Sequence, residues 1–155
     1  MKKVAAAIFL LFLPLTAHAW TAKVVSVIDG DSIMVDKAGH GEVEIRLYGI
    51  DAPEYDQPSG RAARKNLALL AAGKTVAVET VTKDSYGRTV AIVRNQGSCL
   101  NEKIVGAGYA WVYRNFCKKS FCRDWLMLEE EAKRSGKGLW HDPAPVRPWE
   151  WRRKK

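Results

Sequence analysis

The sequence predicts a small α+β domain built on a barrel of about five strands. Three observations carry that prediction. The 155 residues, 47% hydrophobic and 27% charged, suffice for one core and are too few for several domains. Apolar residues alternate with a period of two along much of the chain, then change to helical spacing in separate blocks. Turns built on glycine, aspartate and asparagine punctuate the alternating stretches. The same composition excludes a multidomain machine, a collagen-like or disordered chain and a disulfide-packed miniprotein.

The elements follow in order. Met1-Lys2-Lys3, an apolar run from Val4 to Leu15 broken only by Pro14, and the small residues of Ala17-His18-Ala19 form a secretory signal peptide over residues 1–19, cleaved after Ala19. The run falls short of the ~20 apolar residues a membrane span needs, and no later stretch is long and apolar enough. The product expected is an exported protein, periplasmic or secreted according to the host envelope.

Val24, Val25, Val27 and Ile28 form the first strand, which ends at Asp29-Gly30-Asp31. Ile33 and Val35, then Val43, Ile45 and Leu47, supply two more around a turn at Lys37–Gly41, completing a meander. Pro58-Ser59-Gly60 opens a helix with Ala62, Ala63, Leu67, Leu70 and Ala71 on one face and Gly73 as its stop. Val76, Val78 and Val81 alternate again, and Val90 to Val93 form a further strand beyond the turn Asp84-Ser85-Tyr86-Gly87. A short helix starts at Asn101 and ends near Gly106 or Gly108. Tyr109–Tyr113 is extended, and a last helix through Trp125, Leu128 and Ala132 stops at Gly136. The folded domain is expected over residues 20–141. Residues 142–155, with prolines, two tryptophans and a basic end, read as an irregular tail.

The formal charge of +8 speaks to partners and not to fold. Polyanions are attracted to such a surface, although a run such as Arg152–Lys155 is by default a solvated face. Export places Cys99, Cys117 and Cys122 in an oxidising compartment. Three cysteines allow one bridge and one leftover thiol; Cys117–Cys122 is the first choice and Cys99–Cys117 the alternative. The spacing lacks the paired C-x-x-C of a zinc site.

Three clusters carry possible chemistry: Asp29-Gly30-Asp31-Ser32, the segment Arg46 to Glu54, and Asp84-Ser85-Tyr86-Gly87-Arg88. Hard oxygen donors such as Asp31 and Asp51, with a backbone carbonyl nearby, suit Ca²⁺ far better than a transition metal. Two arginines, Arg46 and Arg88, can orient phosphodiester oxygens in a planar, bidentate way. A glutamate beside the cation, Glu54, can orient or deprotonate water. Each cluster also has a plain reading: the first and third as simple turns, and Arg46 as a solvent-facing strand residue paired with Glu44.

Together the clusters resemble the staphylococcal nuclease (thermonuclease) family from about Lys23 to Trp140. The resemblance rests on the D-G-D-S turn at Asp29–Ser32, R-x-x-G-I-D-x-P-E at Arg46–Glu54, and D-x-Y-G-R at Asp84–Arg88. It continues through Val105–Tyr113 and ends at Gly138-Leu139-Trp140. It implies a five-stranded OB-fold β-barrel with three α-helices. It also implies a calcium-dependent phosphodiesterase that cuts DNA and RNA at the P–O5′ bond and leaves 3′-phosphate ends. By the resemblance Asp31, Asp51 and the Ala52 carbonyl hold Ca²⁺, with Asp29 in an outer position. Glu54 handles the water, Arg46 and Arg88 bind phosphate, and Tyr86 and Tyr113 line the nucleotide site. The chain departs from the staphylococcal enzyme at Ala52, where only the backbone is asked to bind metal, and at Trp111, a tyrosine there.

Trp111, with Tyr113 as its neighbour, is the candidate among the tryptophans for stacking a base; Trp125 and Trp140 read as core. DNA and RNA are the partners expected, with a monomer and no stable protein partner. The competing class is a non-catalytic OB-fold nucleic-acid-binding module, which would be expected to lack the acidic and arginine set. A merely cationic sticky protein would explain the charge and not the spacing of the acids.

Overall fold

Strand pairing closes the chain into a barrel. A computed structural model describes residues 19–155; the signal-peptide expectation lies outside the described residues apart from Ala19. Strands β1 (Trp20–Val27), β2 (Ser32–Lys37) and β3 (Gly41–Leu47) form the antiparallel meander expected. A two-residue strand, β4 (Ile50–Asp51), follows, then helix α1 (Gly60–Ala71), β5 (Thr75–Lys83) and β6 (Thr89–Asn95). β5 pairs antiparallel with both β1 and β6, and β6 runs parallel to β3, so β3-β2-β1-β5-β6 closes on itself. This is the five-stranded barrel of the expected OB type. Register shifts at Val24/Ser26 and Thr80/Thr82 bend β1 and β5, as bulges do where a sheet must curl.

Inward residues fill the barrel: Ile33, Val35, Ile45, Val78 and Val93 are all fully buried. α1 closes one end with Ala63, Leu67 and Ala71; of the face read from the helical spacing, Leu70 is half-buried and Ala62 is exposed. After β7 (Ser98–Cys99) comes α2 (Leu100–Gly106), then β8 (Trp111–Val112) and α3 (Cys122–Arg134). Asn101 on α2 is fully buried. Its side-chain amide donates to the carbonyls of Tyr48 (3.0 Å) and Ala91 (3.2 Å), and its oxygen accepts from the Val93 amide at 3.0 Å. One side chain thereby satisfies the Tyr48 carbonyl and the Val93 amide, and adds a second donor to the Ala91 carbonyl, which also accepts the Tyr48 amide at 2.8 Å.

Cys117 and Cys122 form the disulfide, and Cys99 is free and buried. That settles the two pairings left open by the sequence. The expectation for the tail is corrected. After a 3₁₀ turn at Gly138–His141, the chain forms a fourth short helix, α4 (Pro148–Arg153), which packs back onto the domain. Pro148 in the first turn suits a helix start. No helix among the described residues is long and apolar enough to cross a membrane.

Candidate active site

Two tight approaches bring separate loops together at one end of the barrel. A side chain on Gly30 would collide with the Cβ atoms of Ala52 (2.6 Å) and Ala63 (2.7 Å), so the Asp29–Asp31 turn sits directly against the segment after β4. A side chain on Gly60 would collide with the Glu54 carbonyl, so the start of α1 lies against the Glu54 loop. β4 is itself fixed by pairing with β8, where Asp51 lies opposite Trp111, and by the Tyr113 amide on the Gly49 carbonyl at 2.8 Å.

Several of the side chains singled out in the sequence meet there. Arg46 lies opposite Ser32 on the β2–β3 ladder. Its guanidinium forms ion pairs with Asp31 and, at 2.7 Å, with Asp51. These carboxylates are 1% and 0% exposed. Arg46 is therefore not paired with Glu44, the alternative its place in a strand had suggested. Glu44 faces Arg88 at 3.5 Å, and Arg88 also holds Asp84 at 2.7 Å. Asp31 further accepts from the Ala52 amide at 2.5 Å, which ties the two acidic segments together.

Asp29 caps its own turn, accepting the Asp31 amide at 2.9 Å. Burial pushes its carboxyl above the usual range against the opposing pull of Arg46, Ser32 and Arg88. At Asp84 burial raises the carboxyl, but hydrogen bonds from Arg88 and the turn backbone outweigh it and hold the acid below its ordinary value.

Residues missed in the sequence complete the site. Arg152, on α4, reaches Asp51 at 2.8 and 3.2 Å and Glu54 at 2.6 Å. Burial works against its charge, yet the hydrogen bonds it donates to Asp51 and Glu54 dominate and keep it protonated more firmly than an ordinary arginine. Gln57, 5% exposed, accepts the Glu54 amide at 3.1 Å and donates to the Val146 carbonyl at 2.6 Å, bracing the Glu54 loop and anchoring the tail. Buried Glu129 accepts the Val112 amide at 3.1 Å and so holds β8. In the sequence Arg152 was one of four consecutive cations, with nothing local to mark it, and Gln57 one polar turn residue among several.

The aromatic expectations divide. Tyr86 is 85% exposed at its turn, with the Arg88 guanidinium 5.5 Å from its ring centroid. Tyr113 lies between Phe116 and Trp149, the latter stacked parallel at 4.9 Å. Trp111 is corrected from stacking candidate to core. It is 5% exposed and packs edge-on against Trp140 at 5.0 Å, because its place on β8 points it under α3 and the 3₁₀ turn. Trp125 is core, as expected.

The donor set fits a hard cation. Asp31 and Asp51 converge on a shared guanidinium, and no histidine or cysteine stands among them. Among the described residues no three acidic, histidine or cysteine side chains form a complete metal shell. Two carboxylates and the Ala52 carbonyl are the oxygen donors the segment offers. Arg152 would have to yield its hold on Asp51 for a cation to bind there.

Comparison with known proteins agrees with this picture. The profile of the family described as "Staphylococcal nuclease homologue" matches residues 44–142. A protein described as an uncharacterized endonuclease of Escherichia coli O157:H7 is 37% identical over 155 residues, covering 99% of both chains. One of the same description from Haemophilus influenzae is 36% identical, covering 86% of this chain and 73% of its own. The micrococcal nuclease of Shigella flexneri is 36% identical, covering 99% and 92%.

Proposed function

The chain belongs to the staphylococcal nuclease family, and from that premise we propose that it is a calcium-dependent phosphodiesterase. It hydrolyses DNA and RNA at the P–O5′ bond with little sequence preference and leaves 3′-phosphate ends. The observation that carries this reading is the convergence of Asp31, Asp51 and Arg46 beside Glu54, from three segments, in one partly buried cluster. A non-catalytic binding module would have no need of buried carboxylates gathered this way.

Asp31, Asp51 and the Ala52 carbonyl would hold the Ca²⁺. Bound there, it would polarise a phosphoryl oxygen and neutralise charge. Arg46 and Arg88 orient the phosphate and stabilise the charge that develops on its equatorial oxygens. Glu54 accepts the proton of the attacking water, with its loop braced by Gln57. The P–O5′ bond breaks as the P–O bond to the attacking water forms, and the leaving 5′ oxygen takes a proton from solvent water. Tyr86 meets the nucleotide, a role its exposure beside Arg88 supports.

The oxidised Cys117–Cys122 pair supports export to the periplasm or medium. Nicking of supercoiled plasmid tests the reading. EDTA is expected to abolish nicking and Ca²⁺ to restore it. Glu54→Gln is expected to lower turnover by ~10²–10⁴-fold with oligonucleotide binding retained. Full activity in EDTA, or near-normal turnover in the glutamine variant, would overturn it.

A further inference from the structure

The disulfide loop is built against the segment that carries Asp51. A side chain on Gly49 would meet the Cys117 Sγ at 2.6 Å and the Trp125 ring at 3.3 Å. The sulfur therefore lies directly over the backbone two residues before Asp51. Hydrogen bonds join the same pieces. The Tyr113 amide donates to the Gly49 carbonyl at 2.8 Å, and the Lys118 amide donates to the Tyr48 hydroxyl at 2.8 Å. The Tyr113 carbonyl in turn accepts the Cys117 amide at 2.9 Å. Phe121, just before the second cysteine, packs edge-on against Tyr48 with ring centroids 6.3 Å apart. Tyr48 and Gly49 are thus gripped by the loop from Tyr113 to Phe121, and the bridge ties that loop to the start of α3. β4 itself is two residues long and pairs with β8, which is equally short. So short a ladder has little rigidity of its own, and the position of Asp51 leans on the loop beside it.

We propose that the Cys117–Cys122 bridge is a positioning device for the cation site. Oxidised, it clamps Tyr48 and Gly49 and fixes Asp51 for Ca²⁺; reduced, it leaves a folded chain that holds the cation weakly. The device rests on the reading of Asp31 and Asp51 as cation ligands and adds a redox dependence to it. Oxidation proceeds by exchange with a disulfide-carrying oxidant. One cysteine thiolate attacks the oxidant's disulfide and expels one of its sulfurs as a thiol. The second cysteine thiolate then attacks the mixed disulfide, and the bridge forms as the oxidant's other sulfur leaves. The oxidant departs as two thiols, carrying the two electrons and the two protons that the cysteines gave up. The cation site is therefore completed in an oxidising compartment and stays weak wherever thiols are kept reduced.

Wild-type protein equilibrated in glutathione buffers, with and without saturating Ca²⁺, tests this without nucleic acid. Losing an outer support of a metal site costs about tenfold in affinity or more. Reciprocity then requires Ca²⁺ to shift the thiol–disulfide equilibrium about tenfold toward the bridge, ~30 mV for a two-electron couple. Calorimetry measures the other side of the same cycle. Cys117→Ser/Cys122→Ser is expected to bind Ca²⁺ about tenfold more weakly than wild type, with its far-UV circular dichroism and a cooperative melt retained. Cys99→Ala keeps the bridge and is expected to bind as wild type does. Tyr48→Phe, also with the bridge intact, removes the hydroxyl that the Lys118 amide grips and is expected to weaken Ca²⁺ about threefold. A thiol–disulfide equilibrium that Ca²⁺ does not move overturns the device. So does a serine variant that melts lower but binds Ca²⁺ equally well, which would make the bridge a staple and nothing more, or one that does not fold. If wild type binds no Ca²⁺, the cation reading fails and the device with it. If it binds and oxidation changes nothing, the device alone fails.

Discussion

Arg46→Met removes the guanidinium shared by two acids that are almost without solvent. Deleting one partner of a buried ion pair strands the other charge, at a cost of about 3–5 kcal/mol. Asp51 retains Arg152 at 2.8 Å, so the loss falls chiefly on Asp31, which keeps the Ala52 amide at 2.5 Å and the Ser32 hydroxyl at 3.4 Å. The lower end, about 3 kcal/mol, is therefore expected. Unfolding entropy near 2.1 cal/mol/K per residue over ~140 residues gives ~0.3 kcal/mol per degree, so Tm should fall by ~10 °C. Thermal melts followed by tryptophan fluorescence in EDTA measure it. Millimolar Ca²⁺ should recover more Tm in the variant than it adds to wild type, since a cation replaces the missing positive charge. A fall below about 3 °C in EDTA would refute the reasoning, because it would mean Asp31 does not depend on Arg46.

Asn101→Leu takes the side-chain partner from the Tyr48 carbonyl and the Val93 amide, while the Ala91 carbonyl keeps the Tyr48 amide, and urea unfolding should show a loss of about 2–4 kcal/mol. A loss under ~1 kcal/mol would show that those groups find other partners. Asp29 has its folded pKa raised above the ordinary 3.8. Its protonated form is thus favoured by folding, and that contribution is present below the unfolded value and lost as pH rises through the folded one. Asp29→Asn, neutral at every pH, should therefore melt higher than wild type at pH 7 and match it near pH 3; a lower melt at pH 7 would contradict the assignment. Arg152→Ala frees Asp51 and Glu54 from a competing cation, and about 1 kcal/mol of lost competition should lower the Ca²⁺ needed for half-maximal nicking about fivefold. An unchanged or higher requirement would make Arg152 a support of the cation site.

Period-two alternation at Ile33 and Val35, Val43 to Leu47, and Val76 and Val78 already fixed which residues face the barrel interior, because a strand's inward face is a property of its own backbone. The turns at Asp29–Ser32 and Asp84–Arg88 were legible for the same reason, as were the α1 face and the order of acids and arginines. Convergence was not. Asp31 and Asp51 are joined through Arg46 only once β2 pairs with β3 and β4 with β8. Whether Arg46 chose Glu44, its near neighbour, or the two buried acids depended on that closure. Trp111 offers the opposite lesson: an aromatic neighbour suggested stacking, but burial under α3 is decided by packing.

The tail shows most clearly where local information ends. Its cations resembled any solvated basic end, and nothing in residues 142–155 names Asp51, Glu54 or Tyr113 as partners. Arg152 reaches Asp51 across 101 positions, and such a contact forms only after the barrel, the disulfide loop and α3 have placed its partner. The chain alone determined strand faces, turns and the chemical types available, all set by neighbouring residues. The folded molecule alone decided which charges meet, because buried ion pairs require desolvated partners that distant segments must bring together.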